Sequence, residues 1–325
     1  MKLLRQTAEL PSSLRGGAVT IGNFDGVHLG HARIIDRVIN KARDLGGPAV
    51  VFTFDPHPVR LLRPEHAPPP LTWTERKARL VEALGVDAMV VYPTDEALLS
   101  LSPAEFFDNV VRGQLGAKAL VEGPNFYFGR GRSGSVETLK QLAAQSGMSL
   151  DVVEPLVLAG EFVSSSRVRN LLTEGRVDVA REMLTEPYRI RGMVVHGAGR
   201  GVKLGFGTAN LSAVDTLLPR EGVYAGRGFV ADRRMAAAIH IGPNPTFEEQ
   251  QAKVEIHLVG WDGGVLYGEP LEVDFLQPLR EVRTFSGIDE LKSQLTADVQ
   301  AARAAFQQYE LADKLALDLP EGRIA

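Results

Sequence analysis

The chain has 325 residues, no cysteine and a formal net charge of -4, with 44% hydrophobic and 23% charged residues. That length exceeds one ordinary core and predicts two domains, and the composition excludes a fibrous or largely disordered chain. Without cysteine there is no disulfide, thiolate nucleophile or thiolate-bound metal, which fits a reducing, cytoplasmic setting, and the acidic balance argues against a broad cationic face for nucleic acid.

The opening stretch MKLLRQTAELPSSLRGG is broken by Arg5, Glu9 and Pro11 and makes a poor signal peptide. No run reaches the roughly 18 apolar residues of a spanning helix, so a soluble protein with no membrane partner is expected. From there short apolar runs alternate with helical patterns. GGAVTIG reads as a strand, HARIIDRVINKARDLG as a helix ending at Gly46, PAVVFTF as a strand, TERKARLVEALG as a helix and DAMVVYP as a strand. SPAEFFDNVVRGQLG follows as a helix capped by Ser102 with Glu105 three residues on, then AKALVEG, SVETLKQLAAQSG and LDVVEPLVL repeat the order. Strands alternating with helices of this length predict an α/β domain with a parallel sheet covered on both faces and a ligand at the carboxyl ends of its strands.

Past residue 185 the pattern changes. YRIRGMVVHG, GVYAGRGFV, RRMAAAIHIG, KVEIHLVGW and LEVDFLQPLR are strand-like and separated by Gly, Asn, Asp and Pro turns without a helix between them, which predicts an antiparallel barrel or sandwich. A long helical pattern, GIDELKSQLTADVQAARAAFQQYELADKLAL, closes the chain. The boundary is expected near Glu186 and Pro187, dividing the chain into residues 1–186 and 187–325.

The first candidate site is VTIGNFDGVHLGH, Val19 to His31. Val19, Thr20 and Ile21 end a strand, Gly22 and Gly26 permit turns, and His28 and His31 stand three apart at a helix start. Free backbone amides and the helix dipole favour an anion there, and Gly30 lets the chain approach it closely. A metal pair is the weaker reading, because Asp25 precedes a glycine turn and no third histidine is near in sequence.

GNFDGVHLGH resembles the HxGH signature of the nucleotidyltransferase superfamily and, in this wording, the amino-terminal module of prokaryotic bifunctional riboflavin kinase/FAD synthetases. FTFDPHP, NFYFGRGRSG and VSSSRVRNLLTEGRVDVAREML extend the resemblance, in order, over nearly all of residues 15 to 185. It implies a HUP/Rossmann-like fold in which FMN attacks the α-phosphorus of ATP and expels pyrophosphate. No protein nucleophile is needed, so catalysis rests on positioning and charge neutralisation. The resemblance implies that His28 and His31 hold the phosphates, with Gly22, Asn23, Phe24, Asp25 and Gly30 shaping the loop. It also implies that Ser164, Ser165, Arg167 and Arg169 grip the leaving pyrophosphate, and that Asp55 and Asn125 line the nucleotide site. Asn125 stands where the family usually has Asp. The GRGRSGS run reads as a mobile loop over the nucleotide rather than an RNA contact.

The second candidate site is HGAGRGVKLGFGTANL, His196 to Leu211. It lacks the Gly-Lys-Ser/Thr of a P-loop and the strand-turn-helix setting of a dinucleotide fingerprint. Thr208 and Asn210, two apart on an extended segment, can share one side and offer oxygens to Mg²⁺. The run resembles the GxPTAN hallmark of the riboflavin kinase module, with Gly207 in the usual proline position, which predicts a looser loop. GVYAG, IGPNPTF, VEIHL and LYGEPLEVDFLQPLR continue the match to about residue 305. It implies an antiparallel β-barrel with a C-terminal helix, phosphate binding at Gly201, Thr208 and Asn210, Glu255 as general base for riboflavin phosphorylation by ATP, and flavin contacts at Arg280 and Phe285. Glu255 lies between Val254 and Ile256, so strand alternation turns it to the opposite face.

Overall fold

The computed structural model describes residues 1–197, 199–244 and 249–317. The IGPNPTF motif lies partly outside the described residues, as does Ala198 of the glycine-rich run. The chain forms two compact units, one of Met1–Pro68 with Trp73–Ser164 and one of Pro69–Thr72 with Ser165 onward.

In the first unit, strands β1 (Lys2–Leu4), β2 (Ala18–Ile21), β3 (Ala49–Asp55), β4 (Ala88–Pro93), β5 (Ala119–Glu122) and β6 (Ser149–Val152) form one parallel sheet in the order β1-β4-β3-β2-β5-β6. The order runs one way from β2 through β3 and the other way through β5, so the direction reverses between β2 and β5. In such sheets that reversal opens a ligand crevice at the carboxyl ends of the strands. Helices α1 (Leu29–Leu45), α2 (Pro58–Leu62), α3 (Thr74–Ala83), α4 (Glu96–Ser100), α5 (Pro103–Phe106) and α6 (Val136–Gln145) connect the strands.

Side chains alternate across the sheet as a period of two requires. Val19, Ile21, Phe52 and Val90 join one core with Phe107 and Val110, while Ala18, Val51, Met89 and Val121 join a second core with Ile35, Val38 and Val81. The sheet is thus covered on both faces. Helix α1 buries Ala32, Ile35, Val38 and Ala42, a single stripe at helical spacing, and stops at Gly46, whose φ of 63 suits the left-handed cap.

Local chemistry moved several boundaries. Helix α1 starts at Leu29 rather than His31, because His28 acts as its N-cap. Ser102 and Glu105 form the expected capping box, but α5 passes within a turn into a π-helical stretch, Phe107–Gln114. LDVVEPLVL is not one strand. Pro155 interrupts it, and Val157–Leu158 (β7) turns back as a hairpin onto Glu161–Phe162 (β8).

The second unit begins with α7 (Ser165–Thr173) and α8 (Val177–Glu182). Then come β9 (Arg189–Val195), α9 (Arg200–Leu204), β10 (Ala209–Ser212), β11 (Gly222–Val230), β12 (Arg233–Asn244), β13 (Glu249–Leu258), β14 (Pro270–Arg280) and α10 (Ile288–Leu317). The strands close an antiparallel barrel in the order β10-β13-β12-β11-β14-β9, with β9 returning to β10. Asp274 on β14 is fully buried and is held by the guanidinium groups of Arg189 and Arg227. Helix α8 packs on β14, and Arg220 N–H donates to the Leu172 carbonyl, so the α7–α8 segment packs with the barrel.

The expectation of no helix within the β-rich region is corrected. The glycine-rich run contains the single turn α9, bracketed by Gly199 (φ 67) and Gly205 (φ 87) in the left-handed conformation. Among the described residues no helix is long and apolar enough to cross a membrane.

Candidate active sites

In the first unit the loop after β2 lies at the point where the strand order reverses. Its backbone is strained: Phe24 (φ 46) and Val27 (φ 41) both hold left-handed conformations that cost non-glycine residues about 1–3 kcal/mol each. Gly22 permits this fold-back, since a Cβ there would stand 3.1 Å from the Phe24 ring. His28 then caps α1, its Nδ1 accepting the His31 N–H at 3.2 Å, and its ring stacks on that of His31 with centroids 3.6 Å apart. A Cβ on Gly30 would stand only 3.1 Å from the His28 ring, so a side chain there would have to displace that imidazole.

Electrostatics follow from burial. The His28 imidazole, 7% exposed, is pushed down to about 4, chiefly by desolvation and against the pull of Asp25. His31 is held well below its ordinary value by burial, and the neighbouring His28 and Lys77 add to that. Both rings are therefore neutral at neutral pH, which lets them stack. Lys77 on α3 is buried and donates to the Asn23 carbonyl at 2.7 Å, with Thr53 Oγ1 donating to the same oxygen at 3.2 Å. Burial lowers the Lys77 ammonium, while Asp25 and Asp55 pull it back up. Asp55, exposed at the end of β3, accepts from Thr74 Oγ1 at 2.6 Å.

Two buried polar atoms here, Asn23 Oδ1 and His31 Nδ1, meet no hydrogen-bond partner among the described residues. Buried polar atoms in native proteins are nearly always paired, so the two leave hydrogen-bonding capacity unused at this loop. The loop, Asp55 and Lys77 thus come together in one unit. Asn125 is exposed in the turn after β5, and Ser164 ends the first unit's segment. Ser165, Arg167 and Arg169 lie on α7 in the second unit, where Arg169 Nε donates to the Pro69 carbonyl at 3.0 Å. The Arg130–Arg132 turn of GRGRSGS is closed by paired backbone bonds between Phe128 and Gly134.

In the second unit Gly201, Thr208, Asn210, Glu255, Arg280 and Phe285 all line one cavity. On β13 Val254, Ile256 and Leu258 are buried while Glu255 and His257 alternate with them and reach that cavity. Asn210 and Glu255 are cross-strand neighbours, as are Glu255 and His240, whose Nδ1 stands 3.5 Å from Glu255 Oε2. The Asn210 amide packs on bare backbone, because a Cβ on Gly197 would lie 2.1 Å from its Nδ2. Gly207 has no proline ring to fix it, yet its carbonyl accepts a bond from His257 Nδ1 at 2.8 Å. Arg280 grips Asp298 of α10 with Nε and Nη2, at 3.0 and 2.8 Å, and Phe285 is buried beneath the guanidinium groups of Arg280 and Arg283.

Sequence reasoning missed Lys77, His240 and His257. Lys77 reads as an ordinary charge of an amphipathic helix, and the histidines read as polar strand positions. The signal was available only for His257, which alternates with Glu255 along the same strand.

A parallel sheet with a phosphate-ready helix start and a separate barrel whose cavity gathers a carboxylate with hydroxyl and amide oxygens define a two-module nucleotide-dependent transferase. Residues 10–167 match the family model described as FAD synthetase, and residues 184–306 match that described as riboflavin kinase. A bifunctional riboflavin kinase/FMN adenylyltransferase of Pseudomonas fluorescens is 37% identical over 94% of this chain and 97% of its own length. Proteins of the same description from Bacillus subtilis (34% identical, 89% of this chain and 92% of the relative) and Escherichia coli K12 (32%, 94% and 98%) are also similar. A solved structure described as a macrolide-efflux protein from Streptococcus pneumoniae is 28% identical, covers 93% of this chain and 98% of its own, and superposes with a TM-score of 0.82. The chain belongs to the bifunctional riboflavin kinase/FMN adenylyltransferase family.

Proposed function

We propose that residues 187–325 phosphorylate riboflavin with ATP to give FMN, and that residues 1–186 adenylylate FMN with a second ATP to give FAD and pyrophosphate, in the cytoplasm and without a nucleic-acid or membrane partner. The observation that carries this reading is that the His28–His31 loop with Lys77 and the Glu255 cavity lie in separate compact units, each gathering its own set of polar side chains.

In adenylyl transfer an FMN phosphate oxygen attacks the α-phosphorus of ATP and the bond to the β-phosphate oxygen breaks. His28 and His31 donate ring N–H groups to phosphate oxygens, and the α1 amides add to that donor set. Gly22, Phe24 and Asp25 hold the loop around them, Gly30 lets the phosphates approach, and Lys77 places a cation beneath the Asn23 carbonyl. Asn23 Oδ1 has hydrogen-bonding capacity left for the nucleotide.

In the kinase reaction Glu255 accepts the proton of the flavin's terminal ribityl hydroxyl as that oxygen takes the γ-phosphoryl group from ATP. The Thr208 hydroxyl and Asn210 amide oxygen are hard donors lining the same cavity, and they fit a divalent cation that shares its remaining positions with phosphate and water. When bound there, Mg²⁺ would spread the charge of the transferred phosphoryl group.

Incubating the purified protein with riboflavin and MgATP, or with FMN and MgATP, and resolving the flavins by chromatography tests the reading. FMN followed by FAD is expected from the first mixture and FAD from the second. A protein that binds flavin and yields neither product is a sensor, and one that leaves FMN untouched adenylylates another acceptor.

A further inference from the structure

The β2–β5 ladder is short. β2 pairs with β3 as far as Ile21↔Phe52, but with β5 only at Ala18↔Ala119 and Val19↔Leu120. β5 nevertheless continues to Glu122, tied on its other side to β6 through Glu122↔Val152. The two central strands therefore part at the crevice, and the Ile21 N–H faces the gap without a backbone acceptor from β5. The Glu122 side chain crosses that gap: it is 2% exposed, and its Oε1 accepts the Ile21 N–H at 2.8 Å. On the other edge of β2 the Gly22 N–H donates to the Phe52 carbonyl at 3.0 Å. The residue pair that launches the His28–His31 loop is thus held from β3 by backbone and from β5 by one carboxyl group.

We infer that Glu122 is a positioning residue for adenylyl transfer: its carboxyl replaces the missing ladder bond between β2 and β5 and fixes the exit of β2, and with it the Gly22–His31 loop, in the register the phosphates need. This rests on the assignment of adenylyl transfer to that loop. An apolar residue would leave the Ile21 N–H buried without an acceptor at the mouth of the crevice. Burial also drives the Glu122 carboxyl well above the usual carboxylate range, which favours its uncharged form beside a site that must admit a triphosphate.

The test uses the full chain, with FAD formation from FMN and MgATP as readout and FMN formation from riboflavin in the same preparations as control. Glu122→Val is expected to lower kcat of FAD formation by about tenfold or more, because a misplaced phosphate cradle costs the transition state more than the ground state. KM for ATP should change by less than about threefold and FMN formation should not change. Glu122→Gln, which keeps the acceptor and the shape, restores kcat. Should the valine variant fail to fold, Glu122→Asp withdraws the acceptor by one methylene and is expected to lower kcat while keeping KM. Wild-type kcat in the valine or aspartate variant, or a loss that Glu122→Gln shares in full, overturns the inference. His28→Ala run alongside separates the two levels: FAD formation that survives it refutes the site itself, whereas its loss together with an unaffected Glu122→Val refutes only the role of Glu122.

Discussion

His28 caps the helix that carries His31: the two imidazoles stack 3.6 Å apart, and Nδ1 of His28 accepts the backbone N–H of His31. One side chain thus does two jobs, ending the loop and facing the ligand, and the two can be separated. His28→Ala removes both and is expected to cost about 1 kcal/mol of stability as well as FAD formation. His28→Asn keeps a good cap but loses the ring, so urea unfolding should match the wild type within about 0.5 kcal/mol while FAD formation is lost. An asparagine variant that retains activity contradicts the assignment of the ring to phosphate.

Acid should weaken the first unit through the same ring. The folded His28 resists protonation until about 4, whereas in the unfolded chain it titrates near 6.5. The unfolded state then binds more protons below 6.5, so stability present above that pH is lost as pH falls toward 4, by about 1.4 kcal/mol per unit from this group. His31 acts in the same direction. Denaturation series at pH 5 and pH 7 should show a smaller difference for His28→Asn than for the wild type.

Glu122 should show the opposite sign. Its folded carboxyl keeps its proton above the ordinary value of 4.5, so the unfolded chain releases that proton first and stability falls as pH rises from about 5 toward the folded value. Glu122→Gln carries no such term. Its stability advantage over the wild type should widen between pH 5 and pH 7, and a constant gap would mean that the carboxyl titrates normally.

Gly207 offers a test in the barrel. A Cβ there would meet only Val202 Cγ2, at an ordinary 3.7 Å, and its carbonyl is already held by His257. Gly207→Ala should therefore be tolerated and stabilise the protein by about 0.4–1 kcal/mol by restricting the unfolded chain. His257→Phe removes the bond and should raise KM for MgATP in FMN formation, read by steady-state kinetics.

Much of this was legible in the chain itself. The apolar run AVVFTF marks a strand, the alternation in KVEIHLVGW marks another and gives Glu255 its face, and the Ser102–Glu105 spacing announces a helix start. What stayed hidden depends on contacts distant in sequence. Lys77 meets the Asn23 carbonyl across 54 residues, and Glu122 meets Ile21 across 101, so each looks locally like an ordinary polar residue. The three-residue β1 and the single turn α9 are too short to show a period, and α9 depends on two left-handed glycines that also suit a simple turn. His28 as a cap is not legible in the sequence, because the usual capping residues are Ser, Thr, Asp and Asn.

The most direct measurement is the pair of product yields for two variants of the full chain. His28→Ala should form FMN from riboflavin at the wild-type rate and no FAD. Glu255→Gln should lower FMN formation by about 10²-fold or more while converting supplied FMN to FAD normally. Equal loss of both products in either folded variant would contradict the division of the two reactions between the two units.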